Sequence, residues 1–294
     1  MSNLGLKFDL NIGLKVGTEH VKDVVLLPSN SVAEEVFTKK LAQEPFTWIA
    51  NVIAVAVGSI GNVSIADAVR QEYFKTGKVT VPTVVKNITF ADANSLLLEI
   101  HRRVWQNEFK GMETMCRFCS KSISVDIDLN NIKLTEEQER LLETEQVFDA
   151  IVVDLDAFNM DALLKDSKNE EISSLTGTQW NRFVYRIPTL GDAIKNQEFF
   201  DRNIELWRRI GADCLIGVQK VNEEGAVVTE LPENYLRFLG IKMYRDMTAN
   251  NLKKIRHSLR EELPVLPFAY MDSCACDRMM KIPYTVESSG FFSE

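Results

Sequence analysis

The residues best suited to chemistry in this chain are thiols. Cys116-Arg-Phe-Cys119 has the two-residue spacing of a zinc knuckle. In such a knuckle a tight turn aims two sulfurs at one point, and the metal keeps both as thiolates. A tetrahedral structural site needs four ligands. Cys274-Ala-Cys276 supplies the second pair, so Cys116, Cys119, Cys274 and Cys276 form a candidate structural zinc site of the ribbon type, joining two distant hairpins. A CxxC opening a helix would suggest a redox dithiol instead. Here Ile123, Val125, Ile127 and Leu129 alternate with Ser124, Asp126 and Asp128, which is the period of a strand. The fifth cysteine, Cys214, lies at an expected strand start and reads as a small buried apolar residue.

Carboxylates come second. Ile151-Val-Val-Asp-Leu-Asp156 resembles an apolar strand ending in DxD, where two carboxylates can hold magnesium or one can act as a phosphoryl-transfer nucleophile. Ala157-Phe158 stands where dehalogenase-type enzymes carry Gly-Thr, and a solvated strand end is the plainer reading. His20, His101 and His257 are isolated; the latter two fall beside arginines in expected helices and are expected at the surface. The sequence has no Walker motif, GxGxxG or GxSxG, so it displays no active site.

The elements that must position these groups follow from periodicity and punctuation. Residues 1–27 read as one or two strands, stopped by Pro28. Ser31-Val-Ala-Glu34 and Ser64-Ile-Ala-Asp67 predict helix starts, with helices to about Gln43 and Gly77. Lys78 to Val85 reads as an edge strand, and Thr89 caps a helix expected to reach Phe109. Thr135-Glu-Glu-Gln138 predicts a further short helix. In the second half, Phe183 to Ile187 predicts a strand, and a helix follows to about Ile210, closed by Gly211. A hairpin pairs 215–221 with 226–231, Pro232 opens a helix, and Thr248 to Leu263 forms another. No repeat of solenoid period is visible.

These elements predict an α+β chain of mixed helices and short antiparallel strands. An N-terminal half at 1–143 carries the CxxC, an acidic junction spans 144–180, and a C-terminal half at 181–294 carries the CxC. A length of 294 residues suits about two domains. Phe46 to Ala66 holds no charged residue, but its strongly apolar part ends near Val57. A buried helix followed by a turn at Gly58–Gly61 is favoured over membrane contact. Lys7, Asp9, Lys15, Glu19, Lys22 and Asp23 interrupt any leader-like apolar run, so a reducing cytosol is expected, where clustered cysteines bind metal. The net charge of −8 opposes sequence-independent nucleic-acid binding.

The order of landmarks resembles the baseplate hub and tail assembly proteins of T-even-type contractile bacteriophages. The landmarks are Leu26-Leu-Pro28 before a helical region and Asn94 to Leu98 leading through Arg102 and Arg103 into the CxxC. An alternating strand then ends in Asp128-Leu129, Tyr185-Arg-Ile-Pro188 follows, and a cysteine cluster precedes Phe291-Phe292. The family pattern has Cys-Pro-x-Cys-Gly knuckles, and Arg117 and Ser120 depart from it. The resemblance implies a non-enzymatic role in hub assembly, as assembly factor or hub component, through contacts with hub and tail proteins. The setting would be the cytoplasm of an infected bacterium or the virion tail. Trp105, Phe109, Phe291 and Phe292 are the candidate interface anchors. The alternatives are a zinc-bearing nucleic-acid adaptor and a phosphoryl-transfer enzyme using the Asp154/Asp156 pair with magnesium.

Overall fold

The computed structural model describes residues 5–39, 44–102, 108–116, 119–128, 150–165, 169–244, 247–260, 268–271 and 280–283. The chain is α+β and divides into two compact units. The first comprises Met1–Gln146, Thr189–Ile194 and Pro264–Glu294; the second comprises Val147–Pro188 and Lys195–Leu263. The expected acidic junction at 144–180 therefore contains structure of its own. It holds the strand Ile151–Asn159 and one-turn helices at Asp161–Leu164 and Glu170–Ser173. The C-terminal segment that carries the CxC groups with the first unit.

In the first unit, β1 (Leu6–Val16) and β2 (Glu19–Leu26) form a hairpin, followed by helices α1 (Ser31–Thr38) and α2 (Pro45–Ala56). Strands β3 (Val57–Ile60) and β4 (Val63–Ser64) complete an antiparallel sheet in the order β1-β2-β3-β4. Helices α3 (Ala66–Thr76) and α4 (Phe90–Ile100) follow, then a hairpin of β5 (Glu108–Met115) and β6 (Ser122–Asp128). The second unit holds β7 (Ile151–Asn159), β8 (Gln179–Tyr185), β9 (Leu215–Val221) and β10 (Val227–Glu230), again antiparallel and in chain order. In sequence, α5 (Leu190–Lys195) and α6 (Asn203–Cys214) separate β8 from β9, and α7 (Glu233–Leu239) and α8 (Ala249–Arg260) follow β10. A last hairpin, β11 (Phe268–Met271) with β12 (Met280–Pro283), belongs to the first unit.

Helix α2 explains the uncharged stretch. Phe46, Ile49, Ala50, Val52, Ile53, Ala54 and Val55 are fully buried, so the helix is apolar nearly all round because it runs through the core. Each Val or Ile buried this way contributes about 1.5–3 kcal/mol. The chain then turns into the β3–β4 hairpin at Gly61, whose φ is 51°. No helix among the described residues is long and apolar enough to cross a membrane.

Local signals shift boundaries by a few residues. The cap of α1 is Asn30, whose Oδ1 accepts from the Ala33 N–H at 2.9 Å, and not Ser31. Ile65, and not Ser64, precedes α3, which ends on Gly77 at φ 67°. The expected strand at 78–85 is absent: Pro82 leads into the one-turn helix Thr83–Lys86. Thr89 does cap α4, but that helix ends at Ile100, and Phe109, the expected helix end, lies in β5. Gly211 lies inside α6 instead of closing it. The helix expected from Thr135 lies outside the described residues.

With the one-turn helices set aside, the order strand–strand–helix–helix–strand–strand–helix–helix occurs twice along the chain, over 6–100 and 151–260, although most of α5 groups with the first unit; the repetition extends to individual hydrogen bonds. Helices α2 and α6 are each 12 residues long and run without a break into β3 and β9. The Leu27 N–H donates to the Ala56 carbonyl at 2.9 Å, and the Arg186 N–H to the Cys214 carbonyl at 2.8 Å, at the same place in each copy. The β2–β3 ladder skips Gly58 just before its last pair, Leu26 with Val57. The β8–β9 ladder skips Ile216 just before Tyr185 with Leu215. Leu96 and Ile100 on α4 match Ile255 and Leu259 on α8, and all four are buried. The repeat is long and its side chains have diverged, so no short sequence period marks it.

Candidate metal centre

The CxxC occupies the connection of the β5–β6 hairpin, just after the pair Met115–Ser122. The Cys116 N–H donates to the Lys121 carbonyl at 3.0 Å, and the Ser120 N–H donates to the Cys116 carbonyl at 2.8 Å. These bonds fold the segment into a tight turn. Ser120 adopts φ 56°, the left-handed region that favours glycine. The position after the second cysteine is the glycine position of the knuckle pattern, and serine holds that backbone shape here at a cost of about 1–2 kcal/mol. Cys116 is buried, Cys119 is half-buried, and neither is in a disulfide.

Cys274 and Cys276 lie outside the described residues. The strands flanking them are described: β11 and β12 pair from Phe268–Pro283 to Met271–Met280, and β11 lies beside β6. Among the described residues no group of three or more His, Cys, Asp or Glu side chains could hold a metal. The described half of the expected site is thus a cysteine pair on a knuckle-shaped turn, and the zinc ribbon itself has no support within the described residues.

Of the expected interface anchors, Trp105, Phe291 and Phe292 lie outside the described residues. Phe109 pairs with Ile127 in the β5–β6 ladder, and its side chain is likewise outside them. Sequence reasoning did not single out Phe74 on α3, 72% exposed, or Ile204 on α6, 56% exposed. Amphipathic spacing identifies neither, because each interrupts a largely polar face. Cys214 is fully buried at the end of α6, as its neighbours suggest. His101 is buried, contrary to the expected surface position, whereas His20 and His257 are exposed.

The DxD segment is not a strand end, because β7 continues to Asn159. Asp154 receives the Arg182 guanidinium across the ladder, at 2.6 and 3.2 Å. Asp156 accepts from Asn250 Nδ2 at 2.6 Å and Lys254 Nζ at 2.9 Å. The Lys254 and Asn250 donors hold its carboxyl below the ordinary aspartate value. The two carboxylates are therefore taken up by different cations of the surrounding sheet and helix.

The polar groups most deeply built into the fold are ones the sequence reading left unassigned. Asp92, fully buried in the first turn of α4, accepts the backbone N–H groups of Asn11, Ile12 and Gly13 at 2.8, 3.1 and 2.8 Å. Its Oδ2 also accepts the Thr89 hydroxyl at 3.0 Å. Burial pushes this carboxyl above the ordinary aspartate value, while the three N–H groups and the hydroxyl pull it down. The donors lie in an irregularity of β1 between Asp9 and Leu14. There Gly13 has φ 84°, and a Cβ would sit 2.7 Å from the Val21 carbonyl oxygen. In the second unit, Asn251 on α8 is fully buried and embraces the Asp156 peptide, accepting its N–H at 2.9 Å and donating to its carbonyl at 2.9 Å. The available signal was a shared helix start, Thr89-Phe-Ala-Asp92 and Thr248-Ala-Asn-Asn251, each with its threonine capping the residue three further on. No protein-family model matches this chain, and neither a curated protein nor a solved structure shows significant similarity to it.

Proposed function

We propose that this chain is a non-enzymatic assembly protein of a contractile phage baseplate hub. It acts through protein–protein contacts in the cytoplasm of the infected cell, with structural zinc held by Cys116, Cys119, Cys274 and Cys276. The observation that carries the reading is the use made of the chain's best chemical groups. Asp92 is consumed in holding β1, Asp154 bridges to Arg182, and Asp156 binds Lys254 and Asn250. Such a molecule spends its polar groups on rigidity and leaves its surface for partners. Support for the metal comes from the turn at Ser120 and from two neighbouring strands, β6 and β11, each of which borders a cysteine-bearing connection. Zinc would then fasten two small hairpins that have too little apolar area to be stable alone.

The test is recovery from infected cells. Copurification of the tagged full chain with hub and tail proteins is the expected result. Recovery of free chain alone, together with normal baseplates in its absence, would remove the proposal.

A further inference from the structure

The two copies of the fold treat one pair of helices differently. In the second unit a crevice runs between α6 and α8, lined by Ile204, Trp207, Arg208, Leu252, Ile255 and Arg256, among others. The matching bonds to the Ala56 and Cys214 carbonyls and the matching caps at Thr89 and Thr248 fix the equivalent positions. They are Phe46, Ile49 and Ala50 on α2 and Ala93, Leu96 and Leu97 on α4. All six are apolar, and each is 0–1% exposed. In the second unit Ile204 is 56% exposed, Leu252 is half-buried, and two of the six positions hold arginine. Packing explains the opening. In the first unit α2 packs against α1 and α3 as well as α4. Beside α6 the corresponding stretches of chain contribute 3₁₀ turns, Gln197–Phe199 and Gly240–Tyr244. Turns of this length do not cover a 12-residue helix, which is about 18 Å long.

The opened positions also carry charge. Among the described residues neither Arg208 nor Arg256 has an ion-pair or hydrogen-bond partner, and the Arg208 Nε is buried. Helix α8 holds Lys253, Lys254, Arg256 and Arg260 and no acid, in a chain whose net charge is −8. Asp156 takes up Lys254, whereas Lys253 is exposed. A buried guanidinium N–H without an acceptor destabilises the fold that holds it, and a carboxylate placed beside it removes that cost through a charge-assisted bond. An exposed isoleucine between such groups adds apolar contact. The complementary surface is a helix with apolar residues on one face and carboxylates beside them, laid into the crevice where the first unit has covering helices of its own. An anionic membrane would offer negative charge too, but the net charge of −8 opposes approach to it.

We propose that the α6–α8 crevice docks an acidic amphipathic helix of a partner protein, with its apolar face on Ile204, Trp207 and Leu252 and its carboxylates on Arg208 and Arg256. The inference does not rest on the hub-assembly reading, since it specifies the chemistry of a contact and no phage component. The full chain is titrated at low salt with a fluorescent helical peptide that carries leucines on one face and glutamates beside them. The comparisons are the same peptide with glutamine for glutamate, a Glu-rich peptide without leucine, and phosphatidylserine vesicles. Saturable binding of the acidic amphipathic peptide, about ten-fold or more tighter than either comparison peptide, is the expected result. Arg256→Gln weakens it about ten-fold, the scale of one lost charge-assisted hydrogen bond. Ile204→Ser weakens it about five-fold through lost apolar contact. Should Arg256→Gln fail to fold, Ile204→Ser, at its exposed position, decides the matter. Phe74→Ser, at the exposed aromatic of α3, leaves the affinity unchanged. Absence of saturable binding, equal binding of either comparison peptide, vesicle binding without peptide binding, unchanged affinity in the folded crevice variants, or an equal loss in Phe74→Ser would overturn the proposal.

Discussion

The Asp92 and Asn251 side chains make the same hydrogen bond in two copies of one fold: an Oδ1 near the start of a helix accepts a backbone N–H from an irregular point in the first strand of the adjoining sheet. Asn11 supplies that N–H at 2.8 Å in one copy and Asp156 at 2.9 Å in the other. The shared bond fixes helix to sheet. The difference between acid and amide follows from what each must satisfy, since Asp92 faces three N–H groups whereas Asn251 faces one N–H and one carbonyl.

Replacing Asp92 tests that account. Asp92→Ala leaves three backbone donors without their acceptor, and should cost roughly 3 kcal/mol or more, read by urea unfolding. Asp92→Asn keeps part of the acceptor set and should cost less. Because the folded carboxyl titrates above its unfolded value, the folded state binds that proton more tightly. Stability of the natural protein relative to Asp92→Asn should therefore increase as pH falls from the raised value towards the ordinary one near 4, and stay level at pH above the raised value. A pH-independent difference would contradict the assignment.

Tyr185 and Tyr244 meet in the core of the second unit, hydroxyl to hydroxyl at 3.2 Å. Either single Phe substitution strands a buried hydroxyl and should cost about 1–2 kcal/mol, whereas the double substitution should cost less than the two single effects combined. Burial pushes both phenols up. Unfolded tyrosine releases its proton near pH 10, so stability should fall as pH rises past that value. Absorbance titration of the folded protein should show these two phenols still protonated when the exposed ones have ionised.

Ser120 holds a left-handed backbone without the freedom of glycine. Ser120→Gly should stabilise the β5–β6 turn by about 1 kcal/mol. Hydrogen exchange at Ser122 to Asp128 would register the gain as slower exchange, and unchanged or faster exchange would argue against a strained turn.

Metal analysis of purified chain should give near one zinc per molecule, lost in the Cys116→Ser/Cys119→Ser double variant, with the metal-free protein less stable. Well-folded chain lacking zinc would refute the four-thiolate site.

The Asp154–Arg182 pair is an exposed cross-strand bridge, with Asp154 67% exposed. Asp154→Ala should change stability by no more than about 1 kcal/mol, as exposed pairs generally do. A severe loss in thermal unfolding would mean that the carboxylate does more than bridge.

Much of the architecture was legible in the residues themselves. Alternation gave β6, the apolar run gave the buried α2, Thr89 and Gly77 marked true helix ends, and Asn222-Glu-Glu-Gly225 marked the β9–β10 turn. These signals are local: a cap, a period or a left-handed glycine acts on its neighbours within one turn. The strand expected at 78–85 failed for the same reason: β-branched Val79, Val81, Val84 and Val85 favour a strand only where one pairs with them, and Pro82 starts a helical turn that takes up Val84 and Val85 instead.

By itself, then, the amino-acid order determined the class of fold, the thiol pairs and their spacing, and some element boundaries, such as Thr89 and Gly77. Only tertiary structure decided that Asp92 and Asn251 are equivalent, that two diverged halves share one topology, and that Ile204, Arg208 and Arg256 border one crevice. Those relationships join residues far apart in the chain through single hydrogen bonds and packing contacts. Many different side chains satisfy the same geometry, so neither composition nor period records it.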